Sequence, residues 1–273
     1  MKKRIIQIVV LILCSSFLYS QETKKPFTIG ETVILDSKIL SQERTLNIYL
    51  PEGYEENDTI SYPVMYLLDG SSNEDFIHVV GLVQFFNLQL AMPKTIVVGI
   101  ANIDRKHDFT FPTTIPDLIK DFPTTGGSEK FIRFLAEELQ PYVAEHYKVS
   151  DKKYLLGQSL GGLLATEILF KQPELFTNYI ITSPSLWWDD QSLLHQADGY
   201  LSKNRLKRTV YLAVGKEHPV MVKDAKQLAS ILTKNKDKFE VVFRYFEKEN
   251  HATILHNSLY GAFITEFPYK EPK

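Results

Sequence analysis

Cysteine is nearly absent from this chain: Cys14 is the only one in 273 residues. A single thiol excludes an internal disulfide framework and a thiolate-bound metal. The seven histidines and the carboxylates form no group with metal-ligand spacing, so no metal and no cofactor is expected. Excess positive charge is lacking too. The 31 Lys+Arg stand against 33 Asp+Glu, a net charge of −2, which leaves no electrostatic footprint for nucleic acid or an anionic membrane. There is no apolar run long enough to span a bilayer as a mature helix. There is also no internal repeat, no low-complexity tract and no linker that would divide the chain.

The N-terminus has the pattern of a secretory signal peptide. Lys2, Lys3 and Arg4 precede a short apolar stretch, Ile5 to Leu13, and residues 15–20 are small and polar enough for cleavage before Gln21. Export to the periplasm or beyond is therefore expected, with no stable membrane insertion after cleavage. Lipidation at Cys14 is disfavoured by the bulky Leu13 before it. Loss of residues 1–20 leaves 28 basic against 33 acidic side chains, a net charge of −5. Residues 21–273 then read as one α/β domain.

The organising stretch is Tyr154-Leu155-Leu156-Gly157-Gln158-Ser159-Leu160-Gly161-Gly162. An apolar strand runs into a G-x-S-x-G turn and then into a helix-patterned segment, Leu163 to Lys171. That is the context of a nucleophile elbow, in which a serine hydroxyl stands clear of the sheet on a strained turn. Gly157 and Gly161 are expected to flank it because a Cβ at either would crowd the backbone. The N–H of Leu160 is expected to form half of an oxyanion hole.

Strands are expected at 32–35, 44–50, 62–68, 95–100, 178–183, 209–214 and 240–246, besides the one entering the elbow. Helices are expected at 74–92, 128–147 with Ser128 as N-cap, 190–202, 220–232 and 255–267. From residue 62 strands and helices alternate, which implies a mostly parallel central sheet with helices on both faces. The first two strands lack a helix between them, which implies an antiparallel N-terminal edge. Residues 101–127, with three prolines and Gly126-Gly127, read as a long irregular loop of functional kind.

A nucleophilic serine needs a base, and the base an orienting group. In open α/β sheets these follow the carboxyl ends of strands. His251 follows the last strand and is the first choice. His256 lies further on in a helix, and His218 follows a strand beside a better acid. His78, His146 and His195 fall on helices, and His107 in the long loop. Glu217, two residues past a strand, is favoured as the acid. Asp224 is the alternative, read as an exposed helical carboxylate, and a Ser–His pair without an acid stays open. The order Ser, acid, His is that of α/β-hydrolases.

The runs Val64 to Gly70, Ile103-Asp104-Arg105 to Phe109, Gly157 to Gly162, Ser183 to Trp188, Gly215-Lys216-Glu217 and His251 resemble the putative-esterase family of α/β-hydrolases. That family includes siderophore, feruloyl and acetylxylan esterases and S-formylglutathione hydrolases. The resemblance covers about residues 30–268, and Asp104-Arg105 with Ser183 to Trp188 is most similar to the siderophore-esterase branch. It implies an α/β-hydrolase fold with Ser159 as nucleophile, His251 as base and Glu217 as acid. It also implies a second oxyanion donor at Gly70 or Ser71. Asp69 is read as a loop-ordering carboxylate. Arg105 is expected to meet an anionic or catechol-bearing substrate, and Trp187 and Trp188 to wall the pocket, with core packing of at least one of them. The expected activity is hydrolysis of a small-molecule ester of siderophore type. Feruloyl or acetyl groups on a glycan, acyl transfer, and a non-catalytic binding module on the same fold are the alternatives.

Overall fold

The computed structural model describes residues 23–57, 59–89 and 92–269. The signal-peptide pattern and Cys14 lie outside them. Eight strands form one sheet: β1 (Glu31–Ser37), β2 (Gln42–Tyr49), β3 (Tyr62–Leu67), β4 (Ile96–Ile100), β5 (Val149–Gln158), β6 (Asn178–Thr182), β7 (Arg208–Gly215) and β8 (Phe239–Phe246). Their order is β1-β2-β4-β3-β5-β6-β7-β8. β1 pairs antiparallel with β2, and β2 antiparallel with β4, while all later pairings are parallel. The mostly parallel sheet expected from the alternation is thus observed, antiparallel edge included, and with it the α/β-hydrolase fold that the resemblance implies.

The central strands are apolar throughout because both of their faces are covered. In β3, Val64 and Tyr66 join one hydrophobic cluster and Met65 and Leu67 the other, the period-2 alternation of a strand. On the second face lie α1 (Phe76–Gln89) and the last helix, α10 (Ile254–Glu266), through Val79, Val83, Phe86, Leu259 and Phe263. On the first face lie α6 (Leu160–Lys171) and α9 (Pro219–Lys234), with the helical stretch 128–146.

That stretch departs from the single helix expected. It comprises α4 (Ser128–Phe134), a π-helical turn (Leu135–Leu139) and α5 (Gln140–His146). Pro141 has no N–H for the Glu137 carbonyl and its ring crowds that carbonyl, so the ladder widens there. Ser128 is not the N-cap: it is the first helical residue, fully buried, with Gly127 in the cap position. The loop at 101–127 holds two short helices, α2 (Arg105–Asp108) and α3 (Pro116–Asp121). Its start is pinned by a buried ion pair, Arg44 Nη1 to Asp108 Oδ2 at 2.8 Å. The helix expected over 190–202 is divided into α7 (Trp188–His195) and α8 (Ala197–Lys203), and Asp189, Asp190 and Gln191 turn left-handed within α7.

Two neighbours flank β3, β4 on one side and β5 on the other, so the winding reverses there. Ligand sites in such sheets form at that reversal, outside the carboxyl ends of the strands. Gly70 follows β3 and Ser159 follows β5, which brings both to it.

Candidate active site

Ser159 occupies the turn between β5 and α6 with φ +60° and ψ −119°, a backbone that L-residues rarely adopt. Close packing maintains it. A Cβ on Gly157 would come within 2.3 Å of the Gly161 carbonyl oxygen, and one on Gly162 within 2.9 Å of Pro184 Cα. Gly161 is the exception to the expectation, since a Cβ there would meet only ordinary contacts at 3.4 Å and beyond. The turn is tied by Ser159 N–H to the Thr182 carbonyl at 3.1 Å and by Ser185 N–H to the Ser159 carbonyl at 3.0 Å. The two hydroxyls, Ser159 Oγ and Ser185 Oγ, lie 3.4 Å apart.

His251 stands in the turn between β8 and α10. Its Nδ1 donates to Glu217 Oε2 at 2.7 Å, since an ionised carboxylate only accepts. The Glu217 side chain is buried to 2 % exposure, whereas that of His251 is 45 % exposed. Burial pushes the Glu217 carboxyl up, but bonds from His251, Ser183 and the Gly215 N–H outweigh it and hold the group below its usual range. The turns are fastened together. Lys216 N–H donates to the Glu249 carbonyl at 2.7 Å, and Gln158 Nε2 donates to the His251 carbonyl at 2.6 Å.

Ser159, Glu217 and His251 line one open cleft of about 600 Å³, together with Ser185, Trp187, Lys216, His218, Met221, Asn250 and Ala252. The arrangement offers a serine hydroxyl, an imidazole with Nδ1 held by a carboxylate and Nε2 left for proton transfer, and room for an ester. Asp224 is not in this group. It is buried on α9, not exposed as expected, and burial raises its carboxyl.

His218 lines the same cleft and caps α9, its Nδ1 accepting from Val220 N–H at 3.4 Å, while four other histidines are engaged elsewhere or lie on helices. His78 Nε2 and His256 Nδ1 lie 2.9 Å apart with rings stacked, and His146 stacks on Tyr142. His107 Nδ1 faces Asp108 Oδ1 at 3.2 Å.

Two expected site residues, Arg105 and Trp188, are differently employed. Arg105 pairs with Asp69 through Nε to Oδ1 at 2.6 Å and Nη2 to Oδ2 at 2.9 Å, and Nη2 also reaches the Gln158 carbonyl at 3.1 Å. Two of its three guanidinium nitrogens are thus committed within the protein. Asp69 orders the loop in the way expected, accepting from Asn102 as well at 2.7 Å. Trp188 is no pocket wall: it is fully buried and its indole N–H donates to the Phe111 carbonyl at 2.9 Å. Trp187 does line the cleft, backed by Phe122.

The oxyanion donors divide in the same way. Leu160 begins α6 directly after Ser159, so its N–H is a first-turn donor with no partner inside the helix. Gly70 N–H is spent on the Ile100 carbonyl at 2.9 Å, which removes Gly70 as a donor. Ser71 N–H donates to Glu74 Oε2 at 3.2 Å, and Asn102 Nδ2 holds Glu74 Oε1 at 3.0 Å. The Ser71-x-x-Glu74 spacing was a readable signal for this contact, the reach-back of a capping box. Ser183 and Ser185, which touch the acid and the nucleophile, stand in the Ser183 to Trp188 run but were given no role from sequence; their positions after a strand were the available clue.

A serine elbow and a paired histidine at the carboxyl edge of such a sheet are the arrangement of an α/β-hydrolase. The family model described as "Putative esterase" matches residues 37–269, and the chain belongs to that family. It is 29% identical over 261 residues to the ferri-bacillibactin esterase BesA of Bacillus subtilis, covering 85% of this chain and 88% of that protein. A crystal structure of the BES protein from Bacillus cereus superposes with a TM-score of 0.76 at 30% identity, over 88% of this chain and 95% of that one. An IroE-like serine hydrolase from Shewanella oneidensis gives 0.78 at 29% identity, over 87% and 80%.

Proposed function

We propose that the protein is an exported serine esterase that hydrolyses siderophore-type esters. The observation that carries the reading is the His251–Glu217 pair beside Ser159 in one cleft. Ser159 Oγ attacks the ester carbonyl while His251 Nε2 takes its proton. Glu217 holds the Nδ1–H tautomer and stabilises the imidazolium. The Leu160 N–H donates to the oxyanion. Ser71 N–H joins it only when the Glu74 carboxylate moves off. His251 then protonates the leaving alkoxide, and water, activated by the same imidazole, releases the acyl group from Ser159.

The siderophore assignment draws support from the substrate named for the Bacillus subtilis relative. The cleft adds a flat wall, Trp187, and the cation of Lys216, which suit an aromatic, anionic substrate. Export fits the basic and apolar leader of residues 1–20.

The test is a substrate panel: a ferric tris-catecholate trilactone, feruloyl and acetylated sugars, and p-nitrophenyl esters, with products identified by mass. Preferential opening of the trilactone is expected. Preference for the sugar esters would make it a polysaccharide-directed esterase. No turnover of any ester, with no labelling by a serine-reactive phosphonate, would leave a binding module.

A further inference from the structure

Glu217 lies in the turn after β7, where no regular element fixes its side chain. Two donors hold its Oε1, the oxygen turned away from His251. One is the Gly215 N–H at 3.1 Å; the other is the hydroxyl of Ser183. Ser183 follows β6, is fully buried, and is anchored by its N–H to the Ala213 carbonyl at 2.8 Å.

Its backbone is the telling feature. Ser183 has φ +44°, in the left-handed region where glycine is the unstrained choice. Serine offers one thing at this position that glycine does not, a hydroxyl, and that hydroxyl is on Glu217. The next residues reach the nucleophile: Pro184 packs on Gly162, and Ser185 N–H bonds the Ser159 carbonyl. The end of β6 thus touches both the acid and the nucleophile.

We infer that Ser183 is a positioning residue, whose hydroxyl sets the Glu217 carboxylate so that Oε2 orients His251. This rests on the reading of Ser159, His251 and Glu217 as the catalytic groups. A donated bond to a buried carboxylate fixes its rotamer and favours its ionised form. Without it, burial raises the Glu217 carboxyl, and the carboxylate that holds the Nδ1–H tautomer is lost at a higher pH as the solution is acidified.

The test compares Ser183→Gly, Ser183→Ala and Glu217→Gln on a neutral p-nitrophenyl ester, with kcat and KM measured against pH. Ser183→Gly removes the hydroxyl but relieves the backbone, so part of the stability lost with the bond to Glu217 is regained. Its kcat should fall about tenfold or more at nearly constant KM, the loss expected for one charge-assisted bond. The acid limb of its kcat/KM profile should move to higher pH. Ser183→Ala should show the same kinetics and melt below both the parent and Ser183→Gly, because it loses the bond to Glu217 and keeps the strained Cβ. Parental kcat and an unmoved limb in Ser183→Gly, beside a large loss in Glu217→Gln, would overturn the role of Ser183 alone. An even loss at all pH values, with the acid limb unmoved, would make Ser183 structural and overturn it too. Parental activity in Glu217→Gln would remove the acid assignment and this inference with it.

Discussion

Arg105 clasps Asp69 by both carboxylate oxygens and reaches the carbonyl of Gln158, the residue before Ser159, with the same guanidinium. Asp69 follows β3 and Gln158 ends β5, so this contact bridges the two strand ends at which the sheet reverses. The guanidinium expected to await an anionic substrate thereby ties the end of β3 to the end of β5. Arg105→Ala should then cost activity on every ester. Losses on a ferric catecholate ester and on a short neutral ester should agree within about threefold, with a lower melting temperature from the unpaired Asp69. A loss confined to the anionic ester would restore Arg105 as a substrate ligand.

The acid assignment separates cleanly by substitution. Glu217→Gln keeps the shape but cannot hold the Nδ1–H tautomer as a carboxylate does, and kcat should fall by orders of magnitude. Asp224→Asn should leave kcat within about threefold, and should stabilise the fold at neutral pH if anything, since burial disfavours the charged Asp224. The reverse ranking in a steady-state assay would move the acid to α9.

Much of this was legible in the residues. Each apolar run flanked by turn signals became a strand, because buried parallel strands are apolar on both faces. Ser159, Glu217 and His251 were found because each follows a strand, and strand ends converge at one edge. What escaped was contact between distant segments. No local pattern tells that Asp69 will occupy Arg105, 36 residues on; Asp224 was readable, because it stands three residues after Met221 and four before Leu228, on the buried stripe of α9. The left-handed turn at Asp189 to Gln191 also interrupts a good helical pattern, and Thr113 from the long loop donates to Asp189 there. The fate of the leading tryptophan pair was half readable: one ring had to be core, and only the packing against Phe122 and Phe111 decides that it is Trp188.

With Arg105 committed, the charge in the cleft falls to another residue. Among the described residues lining it, the charged ones are Lys216 and Glu217, and Glu217 is buried under His251. Lys216 is exposed. One exposed charge at close range is worth about 1 kcal/mol in water and is screened by salt. Lys216→Ala should therefore lower kcat/KM on a ferric catecholate ester about three- to tenfold at low ionic strength, less in high salt, and leave a neutral ester unchanged. Equal behaviour of both esters at all salt concentrations would take Lys216 out of substrate recognition.

The central claim is that Ser159 is the nucleophile of an ester hydrolysis, and it is tested most directly by turnover in Ser159→Ala. The variant should fold, since one hydroxyl at the cleft surface is lost, and circular dichroism with a melting curve checks this. Its kcat on the best ester of the panel should fall by about three orders of magnitude or more, leaving only the residual rate from binding and the oxyanion donor. Turnover within tenfold of the parent in a folded Ser159→Ala protein would contradict the assignment.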